Sequence, residues 1–299
     1  MSKIDELAQA ASVAMQKGET QVAGQLLTRL VNLAPQWAPG RVEFGMFLLR
    51  LGRQLEGVDQ LKLACLCQPP FPNAFLAMGA VEHNRENFEN ARRLFMQALV
   101  VDPMHTDALR HLAGALTHSG KADWLVRLLS NHRTQTWINN DLRQFLARAL
   151  NKTGEFERLR SVARCSVIIS PSDPSMQGLL AHALLLSDEK ERAFSQARRS
   201  IMIEPNGQEI LRAFSNIAFY TGRFNLAVKT LEDLLEHDRE DLSTQFWLGR
   251  VHYNLGNLEA AERFLTPISS HKDYRERVRI LRMTAVGSDF ELDEDSEML

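Results

Sequence analysis

Apolar residues recur along this chain at helical spacing, in short stretches parted by brief polar breaks. Leu211, Phe214 and Ala218 make one stripe, and Ala227, Leu231 and Leu234 make the next. Steps of three and four residues put each stripe on one face of a helix. Gly222 lies between the stripes. A left-handed conformation there closes the first helix before Phe224 leads into the second. The same two-helix pattern returns every 34 residues. With the first unit set at Ile4, later units begin at Ala38, Pro72, Thr106, Asn140, Pro174, Gln208 and Leu242. The eighth ends at Arg275, and no insertion is needed.

Each repeated position has a mechanical reason. The eighth is small in every unit: Ala11, Gly45, Gly79, Ala113, Ala147, Ala181, Ser215 and Gly249. A small side chain there lets the second helix cross the first at close range. The fifteenth is Gly18, Gly52, Gly120, Gly154, Gly222 and Gly256 in six units, although the chain has only 16 glycines. The twentieth is small in six: Ala23, Gly57, Ala91, Ala193, Ala227 and Ala261. Pro35, Pro69, Pro103, Pro171 and Pro205 stand at the thirty-second, where the missing amide proton stops the second helix. Strands have no room in this scheme, so Val167-Ile168-Ile169 is expected as the end of a second helix. The fourth unit departs most, with Leu125 at the small slot, His132 at an apolar one and Trp137 in place of Pro. The fifth has Leu159 at the small slot, and irregular packing is expected at these two units.

Length, phase and the small–Gly–small–Pro positions together resemble the tetratricopeptide repeat. The best single matches hold "ENFENARRLFMQALVVDP", ending at Pro103, and "FWLGRVHYNLGNLEAAERFL", starting at Phe246. The resemblance implies an all-α fold, a right-handed α-solenoid of helix–turn–helix repeats. Residues 4–275 are expected as eight such repeats in one solenoid, 276–287 as a C-terminal capping helix and 288–299 as an acidic disordered tail. In that family the first helices line a concave groove, through their positions 2, 5, 9, 12 and 13. Carried onto this chain, the groove presents Asn84, Arg110, His118, Gln144, Arg148, Asn151, Lys152, Arg212, Asn216, Tyr220, Phe246, Arg250 and Tyr253. Guanidinium and amide groups hold a carboxylate or an extended backbone, and aromatics hold an apolar side chain.

Composition narrows the function. The 299 residues are 44% hydrophobic and 24% charged, enough apolar material for a packed core. Three cysteines make no paired framework and point to a reducing, cytoplasmic setting. No apolar run is long enough for a membrane span, and Asp5 and Glu6 stand where a secretion signal would be basic and apolar. The net charge of −2 disfavours nucleic acid as a partner. Charge is uneven, however. Asp289, Glu291, Asp293, Glu294, Asp295 and Glu297 crowd the end, and without these six acids 31 face 35 basic residues. The positive remainder suits an acidic partner. The tail reads first as a solvated solubility segment, and as the alternative it competes for the same groove, in its own chain or by self-association.

Catalytic chemistry has little support. The chain lacks a Gly-rich phosphate loop, a GxSxG and an HExxH. Cys65 and Cys67 form a CxC with no second ligand pair nearby, and Cys165 is expected as a buried thiol. His111 and His118 are two turns apart, about 10 Å, too far to share one metal. No catalytic residue, metal or cofactor is therefore expected. The expected function is a non-enzymatic protein- or peptide-binding scaffold or adaptor. The alternative is an accessory or regulatory subunit of an enzyme complex, for example one associated with a glycosyl- or sulfotransferase.

Overall fold

The computed structural model describes residues 2–284. Every regular element among them is a helix, and none is a strand. The chain divides into two compact units, Met1–Phe145 and Leu146–Leu299.

Unit 1 opens with α1 (Lys3–Gln16) and α2 (Thr20–Leu33), then α3 (Ala38–Arg50) and α4 (Gln54–Leu66), α5 (Pro72–Asn84) and α6 (Phe88–Val101), and α7 (Thr106–His118) and α8 (Ala122–Asn131). Each pair packs on itself, and successive pairs pack on each other. Ser2 starts α1 with a capping box, its hydroxyl accepting from the Asp5 amide while Asp5 accepts from the Ser2 amide. The core runs between the helices of a pair, with Leu27, Leu30, Leu61 and Phe95 fully buried. The small residues of position eight are buried where the helices cross. A Cβ on Gly45 would stand 2.9 Å from the Gly57 carbonyl oxygen, so two backbones touch there.

The fourth pair is irregular, as its sequence suggests. α8 stops at His132, whose φ of −96° and ψ of 48° leave the helical region. A separate short helix, α9 (Arg133–Ile138), follows. Gln135 Nε2 donates to the Pro103 carbonyl at 3.3 Å, and Thr136 Oγ1 donates to the carbonyls of Leu129 and His132, each at 2.9 Å. The Thr136 bonds tie α9 back to carbonyls at the break, and the Gln135 bond ties it to the turn after α6. Helix α10 (Asn140–Lys152) comes next, and the division between the units falls within it.

Unit 2 continues with α11 (Phe156–Ile169), α12 (Pro174–Leu186) and α13 (Lys190–Ile203), α14 (Gln208–Tyr220) and α15 (Phe224–His237), α16 (Leu242–Asn254) and α17 (Leu258–Ile268), and α18 (Arg275–Thr284). Val167-Ile168-Ile169 ends α11, helical despite its β-branched side chains. Trp247 is the largest fully buried side chain. On α18, Val278 and Leu281 are buried, while Arg282 forks onto Glu262 of α17 at 2.6 and 2.9 Å. The acidic tail expected at 288–299, and the end of the capping helix expected at 276–287, lie outside the described residues.

Position fifteen turns the chain in all eight repeats. The six glycines there have φ between 67° and 76°. The other two repeats put Glu86 and Asp188 in the same left-handed region, at φ of 62° and 58°. The turn is thus a property of the repeat rather than of glycine alone.

Candidate functional site

The first helices carry the residues assigned to a groove. In unit 1, Asn84 is exposed at the end of α5. Arg110 on α7 pairs with Asp107 one turn before it, at 3.2 Å. His118, exposed at the end of α7, has its ring 5.7 Å from His83 and 6.1 Å from Phe88. Gln144 on α10 is half-buried. These residues supply amide and imidazole groups, and the one guanidinium among them already has a carboxylate.

Unit 2 brings more of the set together. Arg148 on α10 reaches past α12 to Glu209 on α14, at 3.1 Å. Asn151 is buried, and His182 Nδ1 donates to its Oδ1 at 2.8 Å. Burial pushes the His182 imidazole down to about 4, so it is neutral at pH 7. Lys152 is exposed. Arg212 on α14 pairs with Asp241, the N-cap of α16, at 2.6 Å. Burial alone would raise the Asp241 carboxyl, but the Thr244 hydroxyl and Arg212 outweigh it and hold it below the usual carboxylate range.

Position nine of α14 and α16 holds Asn216 and Arg250, both buried, at 6% and 4% exposure. Asn216 Oδ1 is out of contact with solvent and has no hydrogen-bond donor among the described residues. The Arg250 guanidinium lies 5.1 Å from the Phe219 ring, 5.9 Å from Tyr220 and 4.8 Å from Trp247. Such a desolvated cation over ring faces is worth about 2 kcal/mol.

The aromatic residues therefore group differently from their grouping in sequence. Tyr220 belongs with Phe219, Trp247 and Arg250. Phe246 is buried beside Tyr274 at 5.9 Å, under the Arg277 guanidinium at 4.8 Å. Tyr253 donates its hydroxyl to Glu262, which Arg282 also holds. Trp247 was missed, although its place three residues before Arg250 puts both on one helix face. Tyr274, Arg277 and Arg282 follow the last repeat, where the 34-residue register gives no guidance.

The thiols differ from expectation in one respect. Cys165 is exposed, not buried, because it sits on the solvent side of α11. Burial, helped by the neighbouring Cys67, pushes the Cys65 thiol up to about 11, which keeps it protonated and a poor nucleophile at pH 7. Among the described residues no group of three or more His, Cys, Asp or Glu is placed to hold a metal ion. No described helix is long and apolar enough to cross a membrane.

Residues 218–282 match the family model of the tetratricopeptide repeat. Among curated proteins none matches the sequence. A crystal structure of the APC/C hetero-tetramer Cut9–Hcn1 is similar, with a TM-score of 0.60 and 14% identity over 94% of this chain. This chain spans about half of that one, 55% of its length. The structure of pilF from Pseudomonas aeruginosa has a TM-score of 0.56 at 12% identity, covering 76% of this chain and 99% of that one. A tetratricopeptide repeat protein from Parabacteroides merdae has a TM-score of 0.54 at 12% identity, covering 86% and 98%. In fold the described chain is similar to tetratricopeptide repeat proteins, and residues 218–282 match the model of that family.

Proposed function

We propose that the chain is a non-enzymatic scaffold or adaptor that holds a protein or peptide partner against the first helices of unit 2. The observation that carries this reading is the Asn216 side chain, whose buried Oδ1 has no donor. A buried acceptor left empty costs about 1 to 3 kcal/mol, and a turn of the amide toward the groove would let the N–H of a bound peptide backbone supply what it lacks. Beside it in the repeat register, the half-buried Tyr220, its ring 5.9 Å from the Arg250 guanidinium, offers a partly exposed face to a partner's side chain.

The partner is acidic in this reading. Lys152 is exposed and has no carboxylate partner among the described residues. Arg148 is paired, but its Glu209 is 79% exposed and can give way to a ligand carboxylate. The acidic segment 288–299 has the same chemistry, and self-association through it belongs to the same reading. Three free thiols suit a cytoplasmic setting. A second reading, an accessory subunit of an enzyme complex, is supported by the similarity to a chain of the Cut9–Hcn1 hetero-tetramer.

The test is co-purification with mass spectrometry, using the full chain and its Asn216→Leu variant. Leucine keeps the volume and removes the empty acceptor. We expect the variant to fold at least as stably and to hold the partner about three- to tenfold more weakly. A partner retained equally by both refutes the reading. Co-purification of one enzyme at fixed stoichiometry favours the accessory subunit over the adaptor.

A further inference from the structure

A second surface stands out in unit 1, on helices that the proposed function does not use. An apolar groove of about 300 Å³ runs between α6 and α8 over α7. Met96, Val100, Leu116, Trp124, Leu128 and His132 line it, and only His132 among its lining residues is polar. The groove follows from the irregular fourth pair. α8 has 10 residues, where α2, α4 and α6 have 14, 13 and 14. Val100 is 81% exposed, and Leu66, Ile168 and Met202 are likewise exposed at the same position of other repeats; beside it Met104 is 62% and Trp124 48% exposed. Large apolar side chains grouped in water at a concave site mark a docking surface more often than a lone exposed residue does.

Charge at the Trp124 end is one-sided. Glu89 is the one carboxylate that three cations share: Arg92 in a hydrogen-bonded pair, Arg93 at 3.8 Å and Lys121 at 3.8 Å. Arg92 and Lys121 also stand over the Trp124 ring, 5.1 and 5.9 Å from its centre. On α8 the exposed Asp123 and Arg127 flank Trp124 and offset each other. An excess of two positive charges therefore remains beside the groove.

We propose that this groove docks a short segment of a partner protein that buries one or two large apolar side chains between α6 and α8 and sets acidic residues beside Trp124. The apolar anchors supply the binding energy, and the unbalanced cations select the flanking charge. The volume lies at the small end of ligand pockets, which suits a side chain or two rather than a whole helix face. This surface is independent of Asn216 and Arg250, so either reading can fail without the other.

Selection of random dodecapeptides displayed against the full chain tests it, followed by affinity measurement of the enriched sequences. Val100→Asp and Met96→Glu change exposed side chains, and their helical content and melting verify that they fold. We expect enriched peptides to carry large apolar residues beside Asp or Glu, and to lose about tenfold or more in affinity with either variant. Arg93→Glu with Lys121→Glu should cost several-fold, and added salt should weaken binding. The proposal is overturned if no peptide is enriched over the Val100→Asp chain, or if the anchors are flanked by Lys or Arg. Peptides lost with Arg212→Ala but not with Val100→Asp overturn it too. So does light scattering that shows a dimer dissolved by Val100→Asp, since a second copy would then be the occupant.

Discussion

A methyl group placed on Gly79 of α5 would stand 2.5 Å from Cε1 of Phe95 on α6, well inside van der Waals contact. The two helices meet there with no room for a side chain, and Ala181 is fully buried at the same position of α12. Gly79→Leu and Ala181→Leu should each cost about 1 to 3 kcal/mol in urea unfolding. Gly114 is the contrast. Its nearest neighbour to a Cβ is Phe145 Cζ at 3.9 Å, so Gly114→Ala should fit and add about 0.5 to 1 kcal/mol through helix propensity. An unchanged midpoint in both leucine variants would contradict the assigned crossing.

Glu86 and Asp188 occupy turns that their neighbours in the repeat give to glycine. A side chain in the left-handed region costs about 1 kcal/mol relative to Gly. Glu86→Gly and Asp188→Gly should therefore raise the melting temperature, against the common expectation that glycine weakens a fold. Both residues are exposed, so little packing is lost. Lowered melting temperatures would show that their side chains stabilise the turn by other means.

The helices, their turns and the crossing points were legible because each is enforced locally and repeated in phase. Gly222 between two stripes says where one helix stops, whatever packs on it. The break of α8 was only half legible. His132 and Trp137 marked the fourth repeat as irregular, but the tie of Gln135 to the Pro103 carbonyl, 32 residues back, is a contact that no local pattern encodes. The site was legible as a register and not as a set of contacts. Position nine points to Asn216 and Arg250, yet only the folded chain shows that Arg250 is walled by Trp247 and that Arg148 reaches Glu209, 61 residues away. Exposure of Cys165 was missed because helical phase alone does not tell which side of α11 stays wet.

Stability should fall on mild acidification. The unfolded imidazole of His182 takes up its proton near pH 6.5, while the folded one resists until about 4. Between these values the unfolded chain binds more protons, so stability present above pH 6.5 is lost as pH falls toward 4. The loss is on the order of 2 to 3 kcal/mol. His111 and His252 are also held low, first by burial, and act in the same direction. In His182→Gln, which keeps a donor for Asn151, urea midpoints near pH 7 and pH 4.5 should differ less than in the parent chain. Equal pH dependence would assign the effect to other groups.

The Arg148–Glu209 pair is exposed, at 40% and 79% of the side chains, so Arg148→Ala should change stability by less than about 1 kcal/mol. Its effect on an acidic partner should be larger, several-fold at low salt and less as salt is added. A partner that ignores both the substitution and the salt would not be using this guanidinium.

The most direct test of the central claim is hydrogen–deuterium exchange of the full chain with and without its co-purified partner. Binding at the first helices of unit 2 predicts slowed exchange in α12, α14 and α16, greatest around Asn216 and Arg250. Protection confined to α13, α15 and α17, or no protection in unit 2 at saturating partner, would contradict it.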